Sequence, residues 1–127
     1  RKLMKTITIN GKEYSGILKT KTCVELERSL GENPLNILAK SFTAMGDGKL
    51  PDIEDLVTLL SGCLKTNHPD LTEDDVCDLI DEYCKTNPDN LPAFPLLGIL
   101  DFISEVFVDS GFVLANSPKE KKKGKNK

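Results

Sequence analysis

The sequence predicts a mainly α-helical fold, a small domain of about five helices with an N-terminal β-hairpin. Three observations predict it. A short alternating β-branched run stands at the start of the chain. Apolar residues recur at helical spacing through the middle. Capping and breaking residues then divide that middle into segments of helix length.

The alternating run is Lys5–Asn10, where Ile7 and Ile9 alternate with Thr6 and Thr8. Period two with β-branched residues reads as a strand. Asn10-Gly11 follows, a pair suited to a type I′ turn. Glu13–Lys19 is then expected to return as the second strand.

Beyond the hairpin, Thr22 with Glu25 has the form of a capping box for a helix through Leu30, with Gly31 as its terminator. Asn33-Pro34 reads as an N-cap and first-turn proline. The helix it opens aligns Leu35, Leu38, Phe42 and Met45, with Ile37 beside them, and ends at Gly46-Asp47-Gly48. A third helix starts at Leu50-Pro51-Asp52. Ile53, Leu56, Val57, Leu60, Cys63 and Leu64 give it one apolar face, and it stops near Asn67-His68-Pro69. Thr72 and Asp75 cap a fourth helix, whose first turn holds Glu73, Asp74 and Asp75, where the helix dipole favours negative charge. Its stripe is Val76, Leu79, Ile80, Tyr83 and Cys84. After the turn cluster Asn87–Asn90, the last helix is expected from Leu91 to Val108, continuous from Pro95. Only Gly98, Asp101, Ser104 and Glu105 interrupt its apolar residues. Such a helix must be enclosed, either by its own domain or by a partner.

Residues 1–116 are expected to form a single domain, followed by a disordered Lys-rich tail over 117–127. The tail holds six Lys and one Glu and so carries +5, which leaves −8 on the body within the chain's net −3. An acidic body does not suit nucleic acid, whose phosphates must be neutralised over a surface. No apolar stretch is long enough to span a membrane. Neither nucleic acid nor membrane is an expected partner. A small nucleic-acid regulator acting through the Lys tail is the weakest of the non-enzymatic readings.

Chemistry-bearing residues are sparse. Cys23, Cys63, Cys77 and Cys84 are expected as thiols and as small buried apolar residues, since no secretory leader is read in the opening residues. Zinc would need Cys and His clustered. The single His68 lies in a turn and is expected to be a solvated polar residue. The acidic run from Glu73 to Glu82 lacks the spacing and glycine of a calcium loop. Gly46-Asp47-Gly48 lacks the GK[ST] of a phosphate loop. No catalytic residue, cofactor or metal is expected, and the chain reads as a non-enzymatic binding protein.

The order of segments narrows the reading. An ITINGKEY hairpin is followed by helices containing VELERSLG and NPLNIL, then DLVTLLSGCLKTNHPDLTEDDVCDLIDEY, an apolar helix and a Lys-rich end. Over roughly Ile7 to Phe107 this resembles the tail assembly chaperones of phages with long non-contractile tails. The most specific part is Asp52–Tyr83, similar to the family's helix, short link and acidic-capped helix. The resemblance implies a protein of the host cytoplasm, absent from the mature virion, that keeps the tape measure protein soluble while the tail tube forms. The tail tube protein is a further implied partner, and self-association into oligomers is plausible for that role. Candidate partner-binding residues are Phe94, Leu97, Phe102, Phe107 and Phe112, because aromatic and large apolar groups at an exposed edge make strong anchors.

The family commonly yields a longer product by ribosomal frameshifting. Lys121-Lys122-Lys123 fits such a site, with a solubilising tail as the other reading. Absence of a slippery heptamer around codons 119–125 of the messenger would refute the frameshift hypothesis. A structural tail or head–tail connector component, retained in the virion, is the alternative function.

Overall fold

The computed structural model describes residues 5–86 and 95–113, and these form the expected hairpin and five helices. The Lys-rich segment, Phe94 and the residues expected to open the last helix lie outside the described residues.

Strands β1 (Lys5–Ile9) and β2 (Lys12–Gly16) pair antiparallel, Ile9 opposite Lys12 and Lys5 opposite Gly16. Asn10 and Gly11 both take positive φ, 53° and 82°, the geometry of a type I′ turn. Ile7, Ile9 and Tyr14 face inward, whereas Thr6 and Thr8 face solvent. The second strand stops at Gly16 and not at Lys19. The reason is steric. A Cβ at Gly16 would stand 2.8 Å from Val106 Cγ2 and 3.2 Å from the Cys63 carbonyl oxygen. The chain therefore leaves the sheet where it meets the helices. Ile17 donates its amide to Cys63 O, and Leu18 donates to Ser110 Oγ.

Helix α1 (Thr20–Leu30) begins two residues before the expected cap. Lys19 occupies the N-cap without a side-chain bond. Thr22 is buried within the helix, and Glu25 reaches instead to Lys65, 2.7 Å away. Gly31 ends α1 in the left-handed conformation, its amide donating to Glu27 O. Helix α2 (Pro34–Gly46) is capped as its sequence requires, with Asn33 Oδ1 accepting from Leu35 N at 2.8 Å. Helix α3 (Ile53–Lys65) has Asp52 as its cap, and helix α4 (Glu73–Thr86) opens on a reciprocal box. There Asp75 N donates to Thr72 Oγ1 and Thr72 N donates to Asp75 Oδ2. Helix α5 spans Leu96–Asp109.

α3 and α5 hold the centre of the core. Leu56, Leu59, Leu60 and Cys63 on α3, with Ile99, Leu100, Ile103 and Val106 on α5, are wholly removed from solvent. α1 and α4 pack on α3, α2 packs on α5, and the hairpin lies against α3, α4 and α5. Gly62 lets α1 approach α3, since a Cβ there would meet Leu26 at 2.8 Å.

His68 departs from the expected solvated residue. It is half-buried, and its Nε2 accepts the Ser15 amide at 3.1 Å. Its ring packs against Tyr14 with centroids 5.3 Å apart, and Asn67 Nδ2 donates to Ser15 Oγ. The turn between α3 and α4 thus ties down the outer edge of β2. The imidazole must be neutral at Nε2 to accept that bond. His68→Ala is expected to cost about 1–3 kcal/mol in chemical denaturation, because a partly buried amide loses its acceptor. A change within about 0.5 kcal/mol would show the tether to be dispensable.

The cysteines also differ from expectation. Cys63 alone is fully buried, Cys23 and Cys84 are half-buried, and Cys77 is exposed on the acidic side of α4. All four are free thiols. Burial pushes the Cys63 thiol up from its ordinary value, so it stays protonated as a core residue.

Candidate partner-binding surfaces

The last helix is a core helix. Phe102 and Phe107 are 4% and 2% exposed, so neither is the exposed anchor the sequence suggested. They point inward because positions 99, 100, 103, 106 and 107 bury the same side of α5. Leu97 is half-buried against the core, and Phe112 is 39% exposed beyond the end of the helix. Fifteen residues separate these two, roughly 20 Å along a helix, and the structure does not bring them into one patch. Between them the outward side of α5 carries Asp101, Glu105 and Asp109. Partial burial, and then the neighbouring Glu105, raise the Asp101 carboxyl above its usual value.

Exposed apolar surface lies elsewhere, at the corner between α2 and α3. Leu50 is 64% exposed and Ile53 45%. Ile53 was expected on the buried stripe of α3. As the first helical residue after the Asp52 cap, it falls outside the packed turns. Next to this corner is a groove of about 340 Å³, with Leu30, Ile37, Ala44 and Leu50 among its walls. Its lip is acidic. Partial burial, then Asp52, Glu54 and Glu32, raise the Asp55 carboxyl, while Lys40 opposes them. Lys40 itself pairs with Glu32 at 2.9 Å. The sequence did carry a signal for this corner. Leu50 precedes a proline and a cap residue, in a connection where no helix can turn it inward.

A second groove, about 350 Å³, runs between α1, α3 and the start of α4. It is more polar. The Glu25–Lys65 pair stands in it, and Thr22, Ser29 and Thr58 line it. Thr58 Oγ1 is already committed to Glu54 O.

Among the described residues, no group of three or more His, Cys, Asp or Glu side chains is placed to hold a metal ion. No described helix is long and apolar enough to cross a membrane. Comparison with protein-family models, with curated proteins and with solved structures returned no match.

Proposed function

We propose that this chain is a non-enzymatic protein-binding factor of phage tail morphogenesis, a tail assembly chaperone that holds the tape measure protein soluble in the host cytoplasm. The observation that carries this reading on the structural side is the exposed apolar corner, Leu50 and Ile53, beside the groove between α2 and α3. Large apolar side chains exposed next to a groove suit an amphipathic client helix, whose own apolar stripe would otherwise aggregate. The acidic lip formed by Asp52, Asp55 and Glu32 favours a client segment with basic residues flanking that stripe. The segment order that resembles the chaperone family supports the same reading from the sequence side.

The corner therefore replaces the aromatic anchors of α5 as the proposed client contact. Leu50→Asp with Ile53→Asp is expected to leave the unfolding midpoint nearly unchanged, because both side chains are exposed. Capture of the tape measure protein should fall at least about tenfold. Undiminished capture would remove this corner from the proposal. Mass spectrometry of purified virions, set against infected-cell lysate, separates an assembly factor from a component. A chaperone is found in the lysate only. Its presence at stoichiometric levels in virions favours the tail or head–tail connector alternative.

A further inference from the structure

The two edges of the hairpin are not alike. In an antiparallel pair, residues alternate between exchanging bonds with their partner and pointing those bonds outward. A two-residue turn after Ile9 makes Ile9 and Lys12 a bonded pair, as it does Ile7 with Tyr14 and Lys5 with Gly16. The amides and carbonyls of Thr6 and Thr8 must then face the outer edge of β1, and those of Glu13 and Ser15 the outer edge of β2. The β2 edge is closed at its Ser15 end by the rest of the protein, since Ser15 N donates to His68 and, just beyond the strand, Ile17 N donates to Cys63 O, which leaves only Glu13 near the turn with outward groups that no described residue bonds. Among the described residues nothing bonds to the Thr6 and Thr8 backbone at the β1 edge. Both threonines are exposed.

Open strand edges are ordinarily blunted by a proline, a bulge or charge along the strand. β1 has neither proline nor bulge. Its one charge is Lys5 at the strand start, which lies 4.0 Å from Glu105. The strand is also self-complementary. Thr6-Ile7-Thr8 reads the same in both directions, so a two-fold axis through Ile7 sets Thr6 of one copy opposite Thr8 of the other. In that register every outward-facing group of Thr6 and Thr8 finds a partner. The solvent side gains threonine–threonine pairs, which favour pairing. Lys5 then falls opposite the other copy's uncharged Ile9, so no like charges meet.

We propose that β1 is a self-association edge, at which two copies of this chain join antiparallel about Ile7 into a continuous four-stranded sheet. The proposal stands apart from the client reading, because the edge is remote in sequence from Leu50 and Ile53 and uses backbone groups.

The test uses the full chain in sedimentation equilibrium from micromolar to millimolar concentration, with amide exchange followed by NMR in the same samples. The expected result is a monomer–dimer equilibrium in which exchange at Thr6 and Thr8 slows as concentration rises, while Glu13 on the β2 edge is unaffected. Thr8→Pro removes one outward donor and leaves the β1–β2 ladder intact, and should weaken dimerisation at least about tenfold. If that variant does not fold, Thr6→Glu with Thr8→Glu serves instead, since both side chains are exposed and the substitutions set like charges opposite each other across the axis. A monomer at every concentration would overturn the proposal. So would exchange at Thr6 and Thr8 independent of concentration, or a folded variant that dimerises as well as the parent chain.

Discussion

Leu60→Ala is expected to destabilise the protein by about 2–5 kcal/mol in chemical denaturation and to lower the thermal midpoint by roughly 10 °C or more. Leu60 is 0% exposed and sits on α3, the helix against which α1, α4 and α5 all pack. Removing its side chain therefore withdraws apolar surface from a site that neighbouring helices cannot readily close. Domains of this size hold only about 5–15 kcal/mol in total, so the loss is a large fraction of the whole. Val24→Ala, at a 39% exposed position on α1, is the control and should change stability by less than about 0.5 kcal/mol. Equal effects at the two positions would contradict the placement of α3 at the centre.

Gly16→Ala is expected to cost about 1–3 kcal/mol by overpacking. The new methyl would meet Val106 Cγ2 at 2.8 Å, Phe102 Cζ at 2.9 Å and the Cys63 carbonyl oxygen at 3.2 Å. The first two belong to fully packed side chains of α5, and the third is backbone that also accepts from Ile17. Relief would have to come from moving the hairpin off the helices, which would also strain the Ile17 and Leu18 bonds. A thermal melt that matches the parent chain would show the contact between the hairpin and α5 to be looser than described.

The elements legible in the sequence were those marked by local chemistry. Asn10-Gly11, Asn33-Pro34, Asp52 and the Thr72–Asp75 box each act within a few residues, and each stands where its pattern placed it. Thr22-Glu25 has the same local form and failed for a tertiary reason. Glu25 is drawn to Lys65 on α3, and α1 has already begun at Thr20. The role of His68 was equally hidden, because its partner Ser15 lies 53 residues away and no spacing rule connects them.

The surface was harder to read than the core. The apolar character of α5 fits either a core helix or a docking helix. Only the packing of α2, α3 and the hairpin around it removes Phe102 and Phe107 from solvent. Ile53 shows the converse. Its place in the apolar repeat of α3 suggested burial, yet as the first residue after the Asp52 cap it stays outside, beside the exposed Leu50. Cys77 follows the same logic, lying on the acidic side of α4, away from the stripe of Val76, Leu79 and Tyr83.

The decisive experiment is co-expression of this chain with a tape measure protein from the same genome. The expected result is that the tape measure protein moves from the pellet to the soluble fraction and co-purifies with this chain. Leu50→Asp with Ile53→Asp should return it to the pellet, while the variant chain itself stays folded. A tape measure protein that remains insoluble and unbound in the presence of the folded parent chain would contradict the chaperone reading.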